Sequence, residues 1–124
     1  MTAPMTRNVD GVRYVRLCNV LDLPQADGKA FDIDDLHTVA VFRLPEGLFV
    51  VSNVCPHKRM SVICNGMLSG TTVQCPMHGW RFDLRSGANM AGQAPLRVYR
   101  HVQDGDWVWV EWPDDERPAW ADAL

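Results

Sequence analysis

The chain has no long apolar run. None approaches the ~18 residues that a bilayer-spanning helix needs, and Met1 to Asp10 lacks the extended apolar core of a secretory leader. A cytoplasmic protein without membrane attachment is the expectation that follows. Basic charge is scarce too: 12 Lys and Arg stand against 15 Asp and Glu, for a net charge of −3. No basic stripe is evident, which argues against a nucleic-acid partner. Helical periodicity is missing, since no window carries a convincing apolar stripe at a 3.6-residue repeat. There is no internal repeat and no low-complexity segment. A length of 124 residues holds one domain and leaves no room for a second large one.

What is present is a series of short apolar stretches between turns. Tyr14–Leu17 reads as a first strand. Leu21 to Asp35, polar and containing Pro24 and Gly28, reads as a connection able to carry a short strand. Thr38–Leu44, the turn Pro45-Glu46-Gly47 and Leu48–Ser52 form a hairpin signal. Thr71–Gln74, Arg81–Leu84, Val98–Val102 and Trp107–Trp112 are further strands, the last two joined through Gln103-Asp104-Gly105-Asp106. Short strands at such spacing point to an all-β antiparallel sandwich or barrel. Met1–Asp10 and Pro113–Leu124 read as tails, the second acidic.

Four cysteines stand at positions 18, 55, 64 and 75. In a cytosolic chain, metal binding or redox chemistry outranks a disulfide framework. Cys55 and Cys75 each lie beside a proline and close to a histidine: Cys55-Pro56-His57, then seventeen residues, then Cys75-Pro76-Met77-His78-Gly79-Trp80. Each half follows a predicted strand and offers one thiolate and one imidazole from a turn. Two sulfurs and two nitrogens suit either zinc or an iron–sulfur centre. Zinc fingers usually pair Cys with Cys and place the His pair on a helix. Here Cys and His alternate and no helix is expected. In a Rieske centre two Cys hold one iron and two His the other, so each loop gives one ligand to each iron. The alternating order therefore favours the iron–sulfur reading, with structural zinc as the alternative.

These half-motifs resemble the Rieske [2Fe–2S] signature, Cys-x-His followed by Cys-x-x-His. Phe49-Val50-Val51-Ser52-Asn53-Val54, Gly66, Gly70, His78-Gly79-Trp80-Arg81-Phe82-Asp83 and Ser86-Gly87 extend the resemblance, which covers about Thr38 to Trp112. It implies a single Rieske domain of three antiparallel sheets, with a small cluster-binding subdomain over about 53–89. It also implies that Cys55 and Cys75 bind the buried iron of one [2Fe–2S] cluster, and that His57 and His78 bind the outer iron through Nδ1. High-potential members carry a further Cys in each loop, joined as a disulfide. Met60 and Met77 occupy those places here, leaving apolar packing to hold the loops. Those members also donate Ser and Tyr hydroxyls to the cluster sulfurs, where this chain has Trp80 and Phe82. Fewer donors imply a low potential.

Other residues carry paired readings. Gly79 either lets the backbone approach the cluster or serves an ordinary turn. Trp80 either shields the cluster or packs in a core. Lys58 and Arg59, beside His57, read first as a solvated charged loop, with the rim of a docking face as the alternative. Pro95, in Gln93-Ala94-Pro95-Leu96, either belongs to a stretch that resembles the family's cluster-covering loop or is an ordinary loop proline before a strand. Cys18 and Cys64 read as part-buried thiols, His37 and His101 as structural or surface residues, and Trp107, Trp109 and Trp112 as strand packing.

The resemblance implies a ferredoxin passing electrons from a flavin-containing reductase to a terminal ring-hydroxylating oxygenase. The alternative is the small subunit of an assimilatory NAD(P)H nitrite reductase beside its large subunit. A terminal oxygenase is excluded, because it needs a mononuclear iron held by two His and a carboxylate, and only His37 and His101 remain outside the motif. The chain is thus read as an electron carrier, not catalytic alone.

Overall fold

The computed structural model describes residues 5–34, 37–56, 60–76 and 79–112, with Met60 and Ser61 in backbone only. Its strands are β1 (Thr6–Val9), β2 (Val12–Asn19), β3 (Asp27–Asp32), β4 (Thr38–Leu44), β5 (Gly47–Ser52), β6 (Val54–Cys55), β7 (Met60–Ser61), β8 (Met67–Ser69), β9 (Thr72–Gln74), β10 (Arg81–Asp83), β11 (His101–Asp104) and β12 (Trp107–Glu111). Helix is confined to two single 3-10 turns, Val20–Asp22 and Ile63–Asn65, among the described residues. None of these residues forms a helix long and apolar enough to cross a membrane. Three antiparallel sheets run β1-β2-β12-β11, β3-β4-β5 and β8-β9-β10, with β6-β7 as a separate ribbon. The all-β expectation is met.

The middle sheet divides the interior. Successive strand side chains point to opposite faces, and β4 is apolar on both. Ala40, Phe42 and Leu44 enter one core with Val51, Ile63, Val73, Phe82, Leu84, Leu96 and both Cys55 and Cys75. Val39 and Val41 enter a second core with Val50, Tyr99, Val108, Val110 and Cys18. That is why Thr38–Leu44 reads as a nearly continuous apolar run rather than an alternating one. Each fully buried Val or Phe contributes about 1.5–3 kcal/mol through apolar burial, so β4 anchors both halves.

Three sequence expectations need correction. The frayed tail assigned to Met1–Asp10 contains β1, whose Thr6–Val9 pairs with Val12–Val15. Asp10 and Gly11 form the two-residue turn with φ of 50° and 81°. Both values are positive, as a type I′ hairpin turn requires, and Asp-Gly is its favoured sequence. Secondly, Val98–Val102 is not one strand. Val98 bridges Val51, and the Tyr99 N–H donates to the Val50 carbonyl at 2.9 Å, before β11 begins at His101. The chain changes sheets within this stretch, moving from β5 to the edge of β12. The turn tightens accordingly to Gly105-Asp106, between the paired Asp104 and Trp107. Thirdly, β7 and β8 lie between the first half-motif and the expected strand at Thr71–Gln74, in a stretch where no strand was expected. The tail Pro113–Leu124 lies outside the described residues.

Candidate metal centre

Both predicted thiolate ligands stand where a strand gives way to a loop. In the ribbon, Cys55 pairs with Met60 and Val54 with Ser61, so the chain leaves the ribbon at Cys55 and returns to it at Met60. In the third sheet Gln74 pairs with Arg81, and residues 75–80 form the second loop. The second loop is closed by its own backbone. The Cys75 N–H donates to the Trp80 carbonyl at 2.7 Å, and the Gly79 N–H donates to the Cys75 carbonyl at 3.0 Å. Gly79 adopts φ +75°, a left-handed conformation that costs other residues energy. Its turn role is thus explicit.

The two loops meet at their bases. Cys55 and Cys75 are 0% and 1% exposed and belong to one core. Pro76 and Gly79 of the second loop are exposed. Trp80 is half-buried, packs against that core and meets Phe82 edge-on, with centroids 6.3 Å apart. It acts as a wall of the thiol-bearing core. Phe82 itself is fully buried. Of the other predicted positions, His57, His78, Met77, Lys58 and Arg59 lie outside the described residues, as does the side chain of Met60.

Sequence reasoning missed the residue that holds the first loop. Asn53, 2% exposed, donates its N–H to the Thr38 carbonyl at 3.0 Å. Its carbonyl accepts the Ile63 N–H at 3.1 Å, and its Oδ1 accepts the Cys64 N–H at 2.7 Å. One side chain and its backbone thereby tie the return of the loop to β4. Ser52 Oγ adds a bond from the Val54 N–H at 3.1 Å. A polar pair inside Val50-Val51-Ser52-Asn53-Val54 was the available signal, because buried polar groups require partners. Apolar packing is therefore not the sole restraint on the loop.

A third segment closes the core from the side. Leu96, 3% exposed, enters it, and its N–H donates to the Gly87 carbonyl at 2.8 Å. Gly87 has φ +79°, and a Cβ there would collide with the Leu96 carbonyl oxygen. Asn89 knits the intervening loop by accepting the Ala91 N–H and donating to the Ala94 carbonyl. Pro95 is exposed, so the contact with the thiol-bearing core comes from Leu96.

The remaining cysteines and histidines divide differently. Cys18 sits in the second core, where burial and then Asp22 push its thiol up to about 11. Cys64 packs beside the first core, and burial raises its pKa. The His37 ring lies 2.7 Å from Asp34 Oδ1, a local structural contact. His101, on β11, has its pKa lowered by burial.

The donor chemistry suits a Rieske cluster. Two buried cysteines from separate loops share one apolar core, as an inner iron with two sulfur ligands requires. A small all-β protein with paired cysteine-bearing loops is thus the class that fold and site define. The model of the Rieske [2Fe–2S] domain matches residues 13–107. The chain belongs to the Rieske [2Fe–2S] domain family and accordingly takes one Rieske-type cluster. It is 30% identical over 100 residues to the ferredoxin subunit of 3-phenylpropionate/cinnamic acid dioxygenase from Escherichia coli K12, covering 78% of this chain and 92% of the relative. Among solved structures, the ferredoxin of carbazole 1,9a-dioxygenase from Nocardioides aromaticivorans IC177 is similar at 29% identity and TM-score 0.70, covering 85% of this chain and 97% of that one. A protein described as the NADH-dependent nitrite reductase small subunit of Mycobacterium tuberculosis is similar at 25% identity and TM-score 0.74, covering 82% and 96%.

Proposed function

We propose that this chain is a low-potential Rieske ferredoxin of the cytoplasm. It takes single electrons from a flavin-containing reductase and passes them to the terminal oxygenase of a ring-hydroxylating system. Cys55 and Cys75 hold the inner iron, and His57 and His78 the outer one. The observation that carries the reading is the convergence of two buried cysteines, each opening a Cys-Pro loop that contains a histidine. When bound, the cluster supplies a one-electron redox couple. The protein's own contribution is to seat the thiolates away from water, tie the first loop through Asn53 and wall the core with Trp80 and Leu96.

Phe82 and Trp80 offer no hydroxyl, so the midpoint is expected near ~−150 mV, the low end of the Rieske range. Voltammetry on the purified protein tests this, and a clearly positive midpoint overturns it. The 30%-identical dioxygenase ferredoxin supports the oxygenase route. The structural similarity to a nitrite reductase small subunit, at TM-score 0.74, favours a second reading as part of an assimilatory nitrite reductase. Reduced protein mixed separately with a ring-hydroxylating oxygenase component and a siroheme nitrite reductase subunit discriminates them. The true acceptor reoxidises the protein with product formed. A zinc-stabilised module would be colourless and would reoxidise with neither.

A further inference from the structure

We propose that the groove on the outward face of β8-β9-β10 is the docking site of the electron-transfer partner, which presents there a carboxylate flanked by apolar side chains. The inference rests on the electron-carrier reading and adds a place and a chemistry to it. Leu68, Val73 and Phe82 of this sheet belong to or pack on the thiol-bearing core. Strand alternation therefore turns Met67, Gln74 and Arg81 outward, together with Ser69 and Thr72. These residues line a cavity of about 360 Å³.

Met67, Gln74 and Arg81 are direct cross-strand partners, so they form one row. Met90 extends the row, since its N–H donates to the Arg81 carbonyl at 2.8 Å. Met67 and Met90 are 70% and 63% exposed. Flexible thioether side chains are well suited to an adaptable binding surface. Between them stands the exposed Arg81. Among the described residues its guanidinium has no carboxylate within ion-pair distance and stacks on no ring. Arg7 by contrast reaches Asp104 and covers Trp109, while Arg13, Arg16 and Arg97 lie over aromatic rings. In a chain of net charge −3, a cation left open beside apolar rims fits a carboxylate on another surface.

The groove is also continuous with the metal centre. Its row is the root of the second loop: the chain leaves at Gln74 and returns at Arg81. A Cβ on Gly79 would lie 3.4 Å from the Gln74 amide nitrogen, so the groove abuts the segment that follows His78. A partner seated there stands beside Gly79, the residue next in sequence to the proposed ligand His78.

Stopped-flow oxidation of the reduced holoprotein tests the site with two small probes. Ferricyanide, an anion, and tris(phenanthroline)cobalt(III), a cation, each accept one electron and become ferrocyanide and the cobalt(II) complex. At low salt Arg81→Glu is expected to slow ferricyanide and speed the cobalt complex, each about tenfold. Arg81→Gln gives an intermediate change, and high salt shrinks both. A shift in potential alone would move both rates in the same direction. Arg100→Glu, at the edge of the four-stranded sheet, makes the same charge change and is expected to act less than about twofold. Equal effects at Arg81 and Arg100, or no effect at Arg81, overturn the groove. For the apolar rims, reduced anthraquinone-2-sulfonate delivers an electron to the oxidised protein. Met67→Ser with Met90→Ser slows it about threefold while leaving ferricyanide unchanged. Equal effects on those two probes overturn the apolar part. Wild-type protein without a Rieske spectrum defeats the electron-carrier reading itself, whereas an intact spectrum with indifferent rates defeats only the groove.

Discussion

Two cores meet on the two faces of β4, and they differ in where their cysteines stand. The second core keeps Cys18 among Val39, Val41, Val50, Val108 and Val110. Burial pushes that thiol up to about 11, so at neutral pH it is an uncharged filler. The first core buries Cys55 and Cys75 at least as deeply, but at the mouths of two loops. A thiolate in such an interior needs a compensating charge, and a metal supplies it outright. Burial alone thus does not mark a ligand. What distinguishes the two cores is that one lies beneath a pair of loops with further donors in their sequence, and the other is sealed by strands.

The largest break in this comparison is removal of a thiol from the first core. Cys75→Ala is expected to abolish Rieske-type visible absorption and reduce cluster iron to background, measured by spectroscopy and iron assay. Cys18→Ala leaves both at wild-type level. The second test divides β4 by face. Phe42→Ala, facing the metal side, is expected to cost about 4 kcal/mol in urea denaturation and to speed cluster loss. Val41→Ala, facing the other way, costs about 2 kcal/mol and leaves cluster loss from the folded protein unchanged. Equal acceleration by both would show that the sheet does not separate the cores.

The smallest expected effect concerns alkaline pH. Folded Cys18 keeps its proton above the ordinary thiol value of 9.0. The unfolded chain loses that proton first, so ionisation favours unfolding. The stabilisation is complete below pH 9 and is lost as pH rises toward 11, amounting to roughly 2 kcal/mol. Denaturation of wild type and Cys18→Ala at pH 8 and pH 11 checks it. The decline between the two pH values should be smaller in the variant by that amount.

Much of this was legible in the residue text, and the misses have local causes. The hairpin at Pro45-Glu46 announced itself through strong apolar runs on either side. The Asp10-Gly11 hairpin was equally well marked, but Thr6–Val9 is too polar and exposed to read as a strand without its partner. Val98–Val102 has the composition of a strand yet divides between two sheets, and composition does not encode that crossing. Asn53 has no motif of its own. Its importance lies in the groups it reaches, Thr38, Ile63 and Cys64, up to fifteen positions away in sequence.

The sequence by itself determined the family and named the proposed donor set, because donor residue types, their alternating order and their spacing from each other are local text with few physical solutions. It also determined that the fold is β, since no helical stripe exists to bury. Only the tertiary structure decided which cysteines share a core, which polar residue restrains the first loop and where a cation is left open beside the second. These are outcomes of register and of strand faces. A one-residue change of register exchanges the faces of a strand, and the residues brought together lie far apart along the chain.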